Sequence, residues 1–152
     1  MNENPIGIGQ LTVFRKTVTE TDMVLFSGIT GDFAANHTDE EYMNASVYGT
    51  RHVHGALVVG FMSAVAGKAL ESARPAGRTP VSLGYDSIRF IRPVFPGQTI
   101  SVNHIFDSYD ANSMRASATI EAYVGTEIVA AATHIVKWVP AVPLASSAGA
   151  PA

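Results

Sequence analysis

Residues 54–72 read HGALVVGFMSAVAGKALES, and this is the strongest helical segment of the chain. Apolar side chains would occur on nearly every side of the helix that this segment predicts, which is typical of a helix buried on most sides. Its small residues would let the backbone of a neighbouring sheet approach closely; these are Gly55, Ala56, Gly60, Ala64 and Gly67. The sequence therefore predicts one long central helix that other elements must cover.

The segments after this helix alternate apolar and polar residues, which is the period of β-strands. They are a run around Ile88 and Phe90 and then residues 100–106, 114–124 and 128–138, with turn residues at 109–113 (YDANS) and 124–126 (VGT). A β-branched run at 11–18 would add a fifth strand. Strands at this spacing form an antiparallel sheet, and only the long helix has enough apolar surface to cover it. The expected fold class is α+β: a hot-dog fold, in which an antiparallel β-sheet is wrapped around one long buried helix.

Two shorter helices are expected before the long one. Thr19 or Thr21 can cap a helix that begins near Asp22, and Thr38 can cap a second helix over residues 39–44. Both caps rest on a hydroxyl that accepts a hydrogen bond from the first turn of the helix.

The length of 152 residues suits one domain with a single core. We expect that domain over residues 1–139 and a disordered tail over the Pro-, Ala- and Ser-rich residues 140–152. The N-terminus has neither the basic start nor the apolar core of a signal sequence, and the apolar run at 55–67 is too short to span a membrane. The expectation is a cytoplasmic protein without a membrane partner.

The composition narrows the class of partner. Charged residues make up 15% of the chain, below the usual quarter, so much of the surface is expected to be apolar or covered by a partner. A second copy of the chain is the simplest partner, because joining two sheets edge to edge covers their open strands and gives a homodimer. The net charge of −3 gives no basic footprint for nucleic acid, and the absence of cysteine excludes disulfides and thiolate metal sites.

Asp32 and His37 are the first candidates for proton chemistry, in the stretch GDFAANH at 31–37. Imidazole accepts and returns protons near neutral pH, and a carboxyl group on the same loop could reach the same water molecule. Such a pair could add water across a double bond or remove it. The spacing alone favours a structural interpretation, because Asp and His five residues apart occur often by chance: Asp32 would cap the short helix and His37 would bond a backbone carbonyl.

Gly55 and Ser63 are candidates on the long helix. The N-terminus of a helix offers unpaired N–H groups and partial positive charge, and at Gly55 no side chain would keep a carbonyl oxygen away from the backbone. This would suit the oxyanion of a thioester enolate. Ser63 could help to orient the acid. Helix entry for Gly55, and a hydroxyl bonded to its own helix for Ser63, are the structural alternatives.

These residues resemble the hydratase motif of the MaoC-like, (R)-specific enoyl-CoA hydratase family. The family pattern is Gly, Asp, any residue, Asn, Pro, an aliphatic residue and His, followed after a gap by His-Gly and a buried helix. The later stretch RFIRPVFPG at 89–97 is similar to the family's strand and its Pro/Gly turn. This chain departs from the pattern at three positions, where it has Ala34, Ala35 and Asn36.

The resemblance implies a hot-dog homodimer that reversibly hydrates trans-2-enoyl-CoA thioesters to (R)-3-hydroxyacyl-CoA without a cofactor. Asp32 and His37 match the catalytic pair, Gly55 the oxyanion donor and Ser63 the supporting hydroxyl. Beside these, six residues are candidates for contact with the acyl-CoA substrate. Phe33 and Tyr48 could line an acyl pocket, Arg51, Arg89 and Arg92 could meet coenzyme A phosphates, and His54 lies at the helix start.

Two other functions remain open at this point. An acyl-CoA thioesterase would use the same fold with a carboxylate as base, and a non-catalytic module would bind acyl thioesters without turnover. The three altered motif residues favour the module. A zinc site at His37, His52 and His54 is disfavoured, because residues two apart across a helix start share no natural face.

Overall fold

The computed structural model describes residues 6–73, 75 and 77–141, and five strands and four helices lie within them. In chain order these elements are β1 (Leu11–Thr17), α1 (Glu20–Thr30), α2 (Ala35–Thr38), α3 (Glu40–Asn44), α4 (Gly55–Ser72), β2 (Arg78–Phe90), β3 (Thr99–Asp110), β4 (Arg115–Val124) and β5 (Glu127–Pro140).

The strands form one antiparallel sheet in the order β1-β3-β4-β5-β2. Alternate residues of β3, β4 and β5 are buried, as the sequence period predicts, and these inward residues pack against α4. The α+β hot-dog fold is thus confirmed, with β1 as the expected fifth strand. β1 and β2 are the two edge strands, which bears on how copies of the chain could associate.

α4 buries one face against the sheet. Val58, Met62, Val65 and Ala69 follow one another at helical spacing, and each is at most 3% exposed. Burying a valine or methionine side chain contributes roughly 1.5–3 kcal/mol, so this face anchors the helix. α4 is also long and apolar enough to cross a membrane by length and composition, a test that the core helices of soluble proteins pass as well.

The caps of the short helices differ in part from the expectation. Thr19 caps α1, and its hydroxyl accepts a hydrogen bond from the Asp22 N–H. Thr38 is not a cap, because it is the last residue of α2, and Asp39 instead caps α3 by accepting from the Tyr42 N–H at 2.9 Å. A carboxylate directly before the acidic first turn of α3 is the stronger cap candidate.

The predicted end of the domain lies close to the end of β5. This strand runs to Pro140, one residue past the expected limit, and the Ala141 N–H donates to the carbonyl of Gly77. Residues 142–152 of the expected tail lie outside the described residues, so the disorder of that tail stays a prediction.

Candidate active site

A left-handed glycine places Asp32 just beyond α1. Gly31 has φ 79° and its N–H donates to the Ser27 carbonyl at 2.8 Å, which ends the helix in a glycine cap. The Asp32 carboxylate then accepts a hydrogen bond from the Ala34 N–H at 3.2 Å, so one carboxylate oxygen is fixed by the loop. Asp32 itself is exposed.

His37 lies on α2, almost buried, with its ring orientation fixed by a backbone carbonyl. Nδ1 lies 2.8 Å from the carbonyl oxygen of His52. A carbonyl only accepts hydrogen bonds, so Nδ1 carries the proton and Nε2 of the neutral ring keeps its lone pair. Nε2 lies 3.0 Å from the side-chain nitrogen of Asn36. His37 is therefore held in the tautomer in which Nε2 can act as a base.

Asp32 and His37 converge in space. One carboxylate oxygen of Asp32 and one ring nitrogen each of His37 and His54 lie within 4.8 Å of one another. A water molecule that makes hydrogen bonds of about 2.8 Å can bridge two atoms at this separation. Of the two structural roles, His37 does bond a carbonyl, but Asp32 does not cap α2, whose N-cap is Ala34 with no side-chain hydrogen bond. Each group nevertheless keeps a second polar atom for chemistry.

His54 touches both members of the pair. Its ring stacks on that of His37, with centroids 3.9 Å apart, and its Nε2 lies 3.2 Å from the Asp32 carbonyl oxygen and 3.2 Å from Ser27 Oγ. His54 is 1% exposed and lines neither of the two cavities described below. Its contacts are those of a residue that positions the pair, whereas the sequence predicts contact with substrate.

A cavity of about 330 Å³ opens beside His37 at the start of α4. The N–H groups of Gly55 and Ala56 have no acceptor among the described residues, and both residues line this cavity. Predicted site residues in its wall are His37, Tyr48, Gly55 and Arg92. The other lining residues are Asn36, His52, Val53, Ala56, Val58, Phe90, Ile91, Pro93, Val94, Val129 and Ala130. The cavity thus combines an apolar wall with unpaired backbone donors and the candidate base.

Two other predicted residues line a second cavity, of about 210 Å³, on another side of His37. Phe33 is exposed there, and Arg51 is paired with Glu20 at 3.0 Å and Glu40 at 2.7 Å. The hydrogen bond from Arg51 to Glu40 raises the pKa of Arg51 above its already high ordinary value. Two carboxylates neutralise the charge of the Arg51 guanidinium, so Arg51 is poorly suited to bind a phosphate group of coenzyme A.

The remaining predicted residues do not join the pair. Arg92 forms an ion pair with Glu127 at 2.9 Å, and Arg89 is exposed with its guanidinium on the Ile88 carbonyl. Ser63 is exposed and lies eight residues beyond Gly55, roughly 12 Å along the helix. Its hydroxyl forms a hydrogen bond with Tyr85. Burial raises the pKa of Tyr85 above its ordinary value, and this hydrogen bond opposes the rise.

The rings of His37 and His54 are nearly parallel, with an interplanar angle of 26°. Lone pairs in the planes of stacked rings do not meet at one point, which disfavours a shared metal ion despite the short separation of the nitrogens. His52 contacts the edge of His37 and contributes its backbone carbonyl. The site is better described as a carboxyl group and a base than as a metal centre.

The MaoC like domain family matches residues 1–131 of this chain. The chain is 40% identical over 90 residues to Protein MaoC of Klebsiella aerogenes and 37% identical over 93 residues to an (R)-specific enoyl-CoA hydratase of Rhodospirillum rubrum, covering 58% and 61% of this chain. It spans 25% and 60% of the lengths of those two proteins. It is also 30% identical over 130 residues to a 3-hydroxybutyryl-CoA dehydratase of Methylorubrum extorquens, covering 86% of this chain and 79% of that protein.

Solved structures share the fold. The (R)-hydratase of A. caviae, involved in PHA biosynthesis, superposes with a TM-score of 0.75 at 22% identity, covering 86% of this chain and 95% of that one. The fluoroacetyl-CoA thioesterase FlK superposes with a TM-score of 0.61 at 15% identity, covering 88% of this chain and 87% of that one. The fold alone therefore does not separate hydration from hydrolysis. The match over residues 1–131 does assign the family, and the chain belongs to the MaoC-like domain family.

Proposed function

We propose that the protein is a hydro-lyase that reversibly hydrates trans-2-enoyl-CoA thioesters to (R)-3-hydroxyacyl-CoA. The observation that carries this proposal is the convergence of Asp32 and His37 within 4.8 Å, in reach of one water molecule. The unpaired Gly55 N–H in the wall of the cavity that His37 lines is a second support. The names of the curated relatives, an enoyl-CoA hydratase and a 3-hydroxybutyryl-CoA dehydratase, point to the same reaction.

In the proposed reaction the thioester carbonyl accepts a hydrogen bond from the Gly55 N–H, which stabilises the enolate that forms. His37 Nε2 takes a proton from water as the water oxygen bonds to C3, and Asp32 gives a proton to C2. A proton passing from His37 back to Asp32 restores the starting state. The tautomer of His37 supports its assignment as the base. The same geometry would also serve if Asp32 were the base and His37 the acid.

Incubation with crotonyl-CoA tests this proposal against the two alternatives. Hydration removes the absorbance of the conjugated thioester without releasing thiol, whereas a thioesterase releases free coenzyme A. A binding module would show neither, but acyl-CoA would raise its melting temperature. Thiol release from butyryl-CoA at a rate equal to or above the loss of enone absorbance would overturn the hydratase proposal.

Gly55→Ala is expected to reduce kcat/KM for hydration roughly tenfold to a hundredfold, because small displacements at a reacting centre have effects of this size. A methyl group at this position would lie 2.7 Å from the Phe90 ring, which also lines the cavity, so the ring must move beside the proposed carbonyl site. Steady-state kinetics with crotonyl-CoA measure the effect.

Gly67→Ala is the matched control for that variant. Gly67 lies on the same helix, and an added methyl group would meet nothing within 4 Å. It should leave kcat/KM unchanged and stabilise the helix by up to about 1 kcal/mol. Equal kinetics for Gly55→Ala and the native protein would contradict the proposed close approach of the thioester carbonyl to residue 55.

The homodimer also belongs to the proposal. β2 is an edge strand on which Val81 and Leu83 are 41% and 48% exposed, an apolar edge that a second sheet could cover. Light scattering of the purified protein measures the mass directly.

A further inference from the structure

His54 is enclosed at the start of α4 by aromatic rings from two other helices. It is the residue directly before α4 and is 1% exposed. Its ring stacks on that of His37 in α2, with centroids 3.9 Å apart, and the Phe26 ring of α1 lies 4.8 Å from it. Close packing of this kind leaves a side chain little freedom to move. The His54 ring is therefore a rigid neighbour of the candidate pair.

The proton of the His54 ring is on Nε2. This nitrogen lies 3.2 Å from the carbonyl oxygen of Asp32, which can only accept a hydrogen bond, and 3.2 Å from the Ser27 hydroxyl. Nδ1 is buried and has no partner among the residues that the structure describes. Since His54 lines neither cavity, it presents no polar atom to a molecule bound there. Any effect of His54 on the reaction must then pass through Asp32 or His37.

The other hydrogen bonds of Asp32 and His37 leave some freedom to each residue. Asp32 is exposed; its N–H donates to Thr30 Oγ1 at 3.2 Å, and its carbonyl accepts from His54. The carbonyl of His52 holds Nδ1 of His37, but a hydrogen bond tolerates a tilt of the ring. The face of His54 at 3.9 Å restricts that tilt. His54 thus contacts the backbone of the candidate acid and the ring face of the candidate base at the same time.

We propose that His54 is a positioning residue for hydration, which holds the Asp32 carboxyl group and His37 Nε2 at the separation that one water molecule can bridge. This inference rests on the proposed hydratase function. A displacement of about 1 Å can lower the rate of a reaction roughly a hundredfold. Because Asp32 and His37 act in the chemical step, the loss is expected in kcat and not in KM.

His54→Leu removes both the N–H donor and the aromatic face. It is expected to lower kcat for crotonyl-CoA roughly tenfold to a hundredfold and to change KM less than about twofold. His54→Gln restores an N–H donor without the ring, so its kcat should lie between the two, and it replaces the leucine variant throughout if that variant does not fold. Circular dichroism verifies the fold of each variant.

His104→Leu is the matched control for the loss of a buried histidine. His104 lies on β3, is fully buried and lines neither cavity, so this variant should keep the native kcat. A loss of kcat in His104→Leu equal to that in His54→Leu would show that any buried histidine has this effect, which would overturn the positioning role.

A double-mutant cycle separates positioning from a general structural effect. Asp32→Asn keeps the backbone carbonyl that His54 bonds. In this background His54→Leu should lower the residual kcat less than about threefold, because residues that act as a unit lose their separate effects once one of them is removed. The same loss of kcat in both backgrounds would make the role of His54 purely structural and would overturn the proposal.

Two further results would overturn the proposal while leaving the hydratase function intact. One is a native kcat and KM in His54→Leu. The other is a raised KM with a native kcat, which would mean that His54 contacts the substrate, as the sequence predicts. Failure of the native protein to hydrate crotonyl-CoA would instead reject the hydratase function and this inference together.

Discussion

Asp32→Asn is expected to lower kcat for enoyl-CoA hydration by roughly a hundredfold to ten-thousandfold, the range that a general acid or base contributes. The amide keeps the shape and the acceptor oxygen that bonds the Ala34 N–H, so the loop should stay in place. Unlike a carboxylic acid, the amide cannot give a proton to C2 of the substrate. Loss of enone absorbance from crotonyl-CoA measures the rate, and circular dichroism verifies the fold.

Glu41→Gln provides the control for this loss of charge. Glu41 is an exposed acid on α3, outside both cavities, so its neutralisation should leave kcat unchanged. A native rate for Asp32→Asn would remove Asp32 from the chemistry and favour His37 acting with a water molecule alone. A shared loss of rate in both variants would indicate a general effect of charge and not a catalytic carboxyl group.

The long helix and the regular strands could be predicted because their patterns are local. β3 alternates Ile100, Val102, His104 and Phe106 on its buried face, and period two is visible in the sequence itself. β2 is different, since the sequence indicates only its end at Ile88 and Phe90. Two register shifts against β5 interrupt its alternation, so its thirteen residues carry no regular apolar period.

The candidate pair could be predicted from its residue types and motif, but its support could not. His54 is next to the glycine of the helix start, and nothing local shows that its ring turns inward to stack on His37. That contact depends on α1, the Asp32 loop and α4 meeting in space. Ser27, which bonds His54 at 3.2 Å, is missed for the same reason, because a serine inside a helix gives no sign of a distant partner.

A second buried histidine pair lies away from the site, on the buried face of the sheet. His104 and His134 are fully buried, and the Nε2 of His104 lies 3.3 Å from the Nδ1 of His134. His134 Nε2 is 2.8 Å from Ser82 Oγ, while His104 Nδ1 has no partner among the described residues. The rings therefore sit in the core with few groups to stabilise a positive charge.

Burial lowers the pKa of His104 to about 4, opposed by the nearby charge of Asp107. Burial also lowers the pKa of His134 to about 4, and repulsion from His104 adds to this effect. Between pH 6.5, the ordinary pKa of histidine, and about pH 4, these two histidines are protonated in the unfolded chain but neutral in the folded chain. Since the unfolded state then holds more protons, the free energy of unfolding must fall as the pH falls through this window.

Acidification from pH 6.5 to 4 is expected to lower the free energy of unfolding by on the order of 3 kcal/mol for each of the two histidines. His104→Leu should remove at least half of this dependence, because one proton-binding site remains at His134 but the repulsion from His104 that lowers its pKa is gone. Urea unfolding at several pH values, at one fixed protein concentration, gives both curves. The slope against pH is the decisive quantity, since the leucine changes packing equally at every pH. A native protein whose stability is flat across this window would show that the core accepts the charge, and a variant with the full native slope would show that the pH dependence comes from groups other than His104.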